Sequence, residues 1–155
     1  MRLLIVGQNP GIQKTNDPRE IPIHRKLCEW MDRAGVYGYS FVNAQHRQGN
    51  YAPSLVDMNF LCGCVCCHHG PILVLGDQAW STMQRIFGPT RAGAMRGPHP
   101  SGLNRKLNDP KYVDAFIDCL QLYIRKRTNA IYRLREDELQ SMLYPDSDTC
   151  KKSTG

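Results

Sequence analysis

Two short runs constrain this chain more than anything else in it: Leu3-Leu4-Ile5-Val6 and Ile72-Leu73-Val74-Leu75, each wholly apolar and each stopped by a glycine, Gly7 and Gly76. A strand with one wet face alternates apolar and polar residues. A run with no polar member needs cover on both faces, which is the condition of a parallel strand between two layers of helix. Tyr39–Asn43 and Ala94–Gly97 read as two further strands. Between them lie segments of helical spacing: Ile23 to Ala34, with Leu27, Trp30 and Met31 on one face and Gly35 as the stop; Leu55 to Cys66, with Ser54 as the cap; and Gln78 to Phe87. A last helix opens at Asp109-Pro110 and lines up Val113, Phe116, Ile117, Leu120 and Ile124. The alternation predicts an α/β fold: a three-layer α/β/α sandwich on a short, mainly parallel four-stranded sheet. Residues 1–127 are expected to form this domain, and residues 128–155 a C-terminal helical extension and polar tail.

The 155 residues make about one domain. Lys and Arg outnumber Asp and Glu, 20 to 14, for a net charge of +6, and the basic residues concentrate at positions 85–106 and 125–135. That balance favours a polyanionic partner such as DNA. No apolar run approaches the ~18 residues of a membrane span, and the amino-terminal residues lack a signal-peptide pattern, so the expectation is an intracellular protein with no membrane partner.

In open α/β sheets ligands bind at the carboxyl ends of the strands, so the loops there carry the chemistry. Gly7-Gln8-Asn9-Pro10-Gly11 combines backbone freedom at both glycines, a fixed turn at Pro10, and two amides that donate and accept without charge. It suits a polar, planar or phosphorylated ligand, and equally an ordinary strand-to-helix turn. Asn43 ends the second strand, and His99 and Ser101 stand in the loop after the fourth, beside Leu103, Arg105 and Lys106. Amides and one histidine next to a basic loop fit a pocket for a neutral planar base at a DNA surface. Asn43 also fits a plain strand-end cap, His99 a turn residue, and Leu103 a lone surface leucine.

At these residues the sequence resembles the uracil-DNA glycosylase superfamily. Gly7-Gln8-Asn9-Pro10-Gly11 is similar to its first motif, with the Asn-Pro-Gly ending of the mismatch-specific uracil/thymine branch. His99-Pro100-Ser101-Gly102-Leu103-Asn104-Arg105 is similar to its second motif, combining the histidine of the uracil branch with a Gly-Leu continuation like that of the mismatch branch. Phe41-Val42-Asn43-Ala44 and Leu73-Val74-Leu75-Gly76 stand where the superfamily has its intervening strands, so the likeness covers about residues 1–125.

The resemblance implies a monofunctional glycosylase that flips a nucleotide out of the duplex, with Leu103 as the wedge filling the gap. It implies that Asn43 reads the Watson–Crick edge of the base and that neutral His99 donates toward the pyrimidine O2 as charge develops there. Asn9 orients the attacking water; an amide takes no proton, so slower chemistry is expected than with a carboxylate at that position. The backbone of Gln8, together with Ser101, Arg105 and Lys106, holds the base and the flanking phosphates. Gly11 replaces a bulky aromatic of the uracil branch and leaves room for a 5-substituent. The superfamily's stacking ring is missing between Ile12 and His24, which leaves Ile21, Ile23 or His24 for that task.

Cys62, Cys64, Cys66, Cys67, His68 and His69 form a cluster in which Cys62, Cys66 and His69 share a face if the segment is helical. Zinc is one reading. An iron–sulfur cluster, known in several glycosylase branches with cysteines placed differently, is another; buried thiols beneath the sheet are the plainest, and no cofactor is expected. The protein is expected to act on DNA as a monomer. Two other readings stay open: a base-flipping enzyme that alters the 5-substituent of a pyrimidine without excising it, and a catalytically silent binder of DNA or protein.

Overall fold

The computed structural model describes residues 2–10, 21–49, 51–88 and 93–143. Four strands, β1 (Leu3–Gly7), β2 (Tyr39–Asn43), β3 (Ile72–Leu75) and β4 (Ala94–Gly97), form one sheet in the order β2-β1-β3-β4, every pair parallel. The helices are α1 (Pro22–Ala34), α2 (Leu55–Cys66), α3 (Asp77–Phe87) and α4 (Pro110–Leu143), with a short 3-10 turn over Arg105–Asn108 before α4.

The two apolar runs are buried as their composition demands. Leu3, Ile5, Leu73 and Leu75 point to one face, where Leu27, Trp30 and Met31 of α1 and Phe116, Ile117 and Leu120 of α4 cover them. Leu4, Val6, Ile72 and Val74 point to the other, against Leu61 and Val65 of α2 and Ala79 and Met83 of α3. The period of two in a strand sends neighbours to opposite faces, so an unbroken apolar run fills two cores at once. On the first face Trp30 meets Phe116 edge-on, ring centroids 5.1 Å apart. Arg33 of α1 pairs with Asp114 of α4 at 2.5 Å across the rim of that layer.

α4 runs unbroken from Pro110 to Leu143, so residues 128–143 continue the helix that opens at Pro110. Tyr123 on this helix ties two strands together: its hydroxyl accepts from the Ile72 amide (2.9 Å) and donates to the Gly93 carbonyl.

The cysteines of α2 depart from expectation. Leu61 and Val65, an i,i+4 pair, take the face against the sheet, and Cys62, Cys64, Cys66 and Cys67 are half-buried or exposed, not buried beneath it. Branched aliphatic side chains remove more apolar area from water than thiols do, so the sheet selects the Leu61/Val65 face.

The start of α2 is fixed by a reciprocal cap. Ser54 Oγ accepts from the Asp57 amide (3.1 Å), and the Asp57 carboxylate accepts from Ser54 N (3.1 Å) and from His46 Nδ1 (2.5 Å). The bond from His46, reinforced by those from Ser54, lowers the Asp57 pKa from 3.8 to about 2. A carboxyl group whose folded pKa is depressed adds stability above its ordinary value, and that stability is lost as pH falls through the folded one. Stability is therefore expected to decline between about pH 4 and pH 2. Asp57→Ala removes that part of the acid limb and costs about 1–3 kcal/mol at neutral pH. Urea midpoints of both proteins across that range test it; parallel pH profiles would count against it.

Candidate functional site

The strand order determines where a ligand can enter. The chain starts at β1, crosses to β2 on one side and returns to β3 on the other. The loops leaving β1 and β3 thus diverge, and a crevice opens at the carboxyl ends of the two central strands. A cleft of about 1020 Å³ lies there. Gln8 and Asn9 line it from β1, Gly76, Asp77 and Gln78 from β3, and Gly97 to His99 from β4, with Tyr112, Phe116 and Cys119 of α4 closing one wall. It lies at the upper end of the ~300–1000 Å³ usual for ligand clefts.

His99 is the best-defined group in it. The Ser101 amide donates to His99 Nδ1 at 3.1 Å, so that nitrogen is an acceptor and the ring proton sits on Nε2. Burial pushes the imidazole pKa below its usual 6.5, which keeps the ring neutral. The Asn104 side-chain amide donates to the His99 carbonyl (3.1 Å), and Ser101 Oγ accepts from Leu103 N (3.2 Å), so the loop holds itself in shape. Beneath the ring lies Gly76, with φ +87°; a Cβ there would stand 3.1 Å from His99 Cβ and Cδ2. Only glycine both adopts that backbone conformation and lets the imidazole settle so close.

Asn9 Nδ2 donates to the Gly49 carbonyl at 2.5 Å, which leaves Oδ1 as the acceptor that the amide can offer a ligand. Gln8 is 7% exposed, with Thr82 Oγ1 lying 3.5 Å from its Oε1. Ser101, Leu103 and Lys106 also line the cleft, and Leu103 is 92% exposed at its mouth.

The other candidates lie elsewhere. Asn43 pairs in register with Gly7 on the edge strand, its Oδ1 within 2.9 Å of where a Gly7 Cβ would stand, and does not line the cleft. The reason is its strand: β2 lies on the side of β1 away from the crevice. Arg105 is exposed and likewise outside the lining. Gly11 lies outside the described residues. Ile21, Ile23 and His24 do not line the cleft, and His24 packs edge-on against Phe41, centroids 5.8 Å apart. Helix α2 ends at Cys66, so His69 falls beyond it and does not extend the face of Cys62 and Cys66, whose sulfurs are 3.9 Å apart. Among the described residues no group of three His, Cys, Asp or Glu side chains is arranged to hold a metal ion.

Sequence reasoning missed an ion pair. Asp77, the first residue of α3, accepts from Arg96 of β4 at the wall of the cleft. The hydrogen bond from Arg96 and its charge, with a smaller contribution from Lys106, hold the Asp77 pKa below the usual carboxylate value. Its position carried the signal: a polar residue directly after an apolar strand stopped by glycine. No family model, curated protein or solved structure matches the chain. The site therefore stands on its own geometry.

Proposed function

We propose that the protein is a DNA glycosylase that hydrolyses the N-glycosidic bond of a flipped uracil or 5-substituted uracil. The reading is carried by His99: a neutral imidazole with its Nδ1 committed to the Ser101 amide offers one hydrogen-bond donor, Nε2–H, in the cleft that Asn9 and Gln8 also line. As the bond from the sugar to the base breaks, its electron pair moves into the pyrimidine ring and onto O2. A fixed neutral donor stabilises that charge without reorganising. Asn9 Oδ1 accepts from a water and aims it at the sugar carbon; the water's proton leaves to solvent. Asp77 and Arg96, paired with each other in the cleft wall, offset one another's charge, so the developing positive charge on the sugar is left to solvent and to the departing base. Leu103 at the mouth, with Lys106 beside it, fits the gap left by the flipped nucleotide and its phosphates.

No helix among the described residues is long and apolar enough to cross a membrane. The net charge of +6 favours DNA as the partner, and an intracellular monomer remains part of the proposal.

A second reading, alteration of the 5-substituent without excision, is favoured by the thiol of Cys119 in the cleft wall. A thiolate that adds to carbon 6 of the ring, with a proton taken up at carbon 5, lets a 5-hydroxymethyl group leave as formaldehyde, its hydroxyl proton taking its place on carbon 5. Loss of a carbon 5 proton and of the thiolate then restores the ring. Oligonucleotides carrying uracil, thymine opposite guanine, or 5-hydroxymethyluracil separate the two when treated with alkali and weighed intact. Excision gives alkali-labile strands, and Asn9→Ala is expected to reduce their formation more than tenfold, about 1.4 kcal/mol. A changed base mass on an intact strand, lost in Cys119→Ser, replaces the first reading by the second. Strands unaltered on every base remove both.

A further inference from the structure

Beside the main cleft lies a second depression of about 330 Å³ that no part of the chemistry above uses. The two share Gln8, Asp77 and Gln78, and the second is closed on its far side by Tyr51 and Pro53 and floored by Ser81 and Thr82 of α3. Tyr51 stands at its lip, 55% exposed. It is nonetheless held. The Arg47 guanidinium lies over its ring, 4.7 Å from the centroid. Gly49, with φ +100°, passes so close that a Cβ there would stand 3.0 Å from Tyr51 Cε2.

The loop beneath is built to keep that ring in place. The Gly49 carbonyl accepts from Asn9 Nδ2 and from Nε2 of the buried Gln45, both at 2.5 Å, and Gln45 Nε2 also donates to the Arg47 carbonyl at 3.0 Å. One amide of the main cleft thereby positions the aromatic wall of the other. The depression presents a flat ring, over which the Arg47 guanidinium lies, and an opposing wall of Gln78 and Ser81, which donate and accept without charge. The Asp77 carboxylate, paired to Arg96, stands at the edge shared with the main cleft. An aromatic ring and a guanidinium plane are the two surfaces on which unpaired bases stack, and amides and hydroxyls read their edges.

We infer that this depression is a subsite for a second, unpaired nucleobase, the neighbour of the flipped nucleotide on the same strand, stacked on the Tyr51–Arg47 platform. The inference rests on the reading of the main cleft as a base pocket, because the shared wall of Gln8, Asp77 and Gln78 is what makes the two occupants neighbours.

The test uses single-stranded oligonucleotides with 5-iodouracil placed on either side of a central uracil, irradiated in complex with the whole protein and mapped by mass spectrometry. Crosslinking to the Tyr51 peptide from one neighbouring position is expected, together with about tenfold weaker binding by Tyr51→Ala and retained binding by Tyr51→Phe, the order expected when one stacked base is lost. Crosslinks that avoid Tyr51, or equal affinity of Tyr51→Ala and wild type, overturn the subsite. So does a Phe variant as weak as the Ala variant, since the ring and not the hydroxyl is the platform. Failure of the main reading is seen separately, in alkali cleavage: Tyr51 crosslinks on DNA that is never made labile keep the subsite and remove the excision.

Discussion

His99→Ala is expected to lower the rate of base release by about 10²–10³-fold, the usual cost of removing one preorganised donor from a developing oxyanion, with little change in affinity for DNA. The separation follows from where the charge appears. In the ground state the pyrimidine O2 is a carbonyl oxygen that a water satisfies nearly as well as the imidazole does. In the transition state it carries most of the departing electron pair, and a water that enters the alanine variant must reorient to serve it. Single-turnover rates on a uracil oligonucleotide measure the first quantity and anisotropy titration the second. A loss confined to affinity would make His99 a binding residue.

The pH profile carries the same assignment. Burial depresses the folded pKa of His99 below 6.5, so the folded protein binds fewer protons than the unfolded chain between the two values. Its contribution to stability is therefore complete above 6.5 and is lost as pH falls through the lowered value. Excision follows the same limb, because protonation places a hydrogen on Nδ1 opposite the Ser101 amide and breaks the bond that orients the ring. Rates are expected to be flat above 6.5 and to fall below the depressed pKa. That acid limb should be absent from the residual activity of His99→Ala.

Gly76→Ala is expected to cost about 1–3 kcal/mol of stability and to impair excision severely as well. The backbone there, φ +87° and ψ 169°, lies in a region reserved for glycine, and the new methyl group would stand 3.1 Å from the Cβ and Cδ2 of His99. Either the strand end or the imidazole must move. Gly88→Ala provides the control: its φ of +81° and ψ of 174° impose the same strain, and nothing lies within 4 Å of its Cβ. Both variants should melt earlier than wild type, and only Gly76→Ala should lose chemistry. Equal loss of activity in the two would show that general destabilisation, not displacement of His99, is responsible.

Much of this arrangement was legible in the residues. The helix stop at Gly35, the cap at Ser54 and the face of Val113, Phe116, Ile117 and Leu120 all follow from local rules, since a cap or a stripe is decided within one or two turns. The two loops were legible as strand ends, because glycine and proline break an apolar run, and Gln8, Asn9, His99 and Ser101 from them line the cleft. α2 was ambiguous: Leu61 and Val65 share one helical face, Cys62 and Cys66 the next, and spacing alone does not say which one meets the sheet. Tyr51 gave no signal, since a lone tyrosine in a polar loop has no periodicity to announce it.

By itself the sequence determined the layers. Strands with no polar member require helices on both faces, whatever the order in which they lie. Only the tertiary structure decided that order, and with it the site. β2 lies outside β1 and β3 lies inside, so the crevice opens between the loops after β1 and β3, Asn43 is left on the far edge, and Asp77 and Arg96 face each other across the wall. Strand order is a matter of which side of β1 each crossover returns to, a choice made by the packing of whole helices. No window of neighbouring residues contains it.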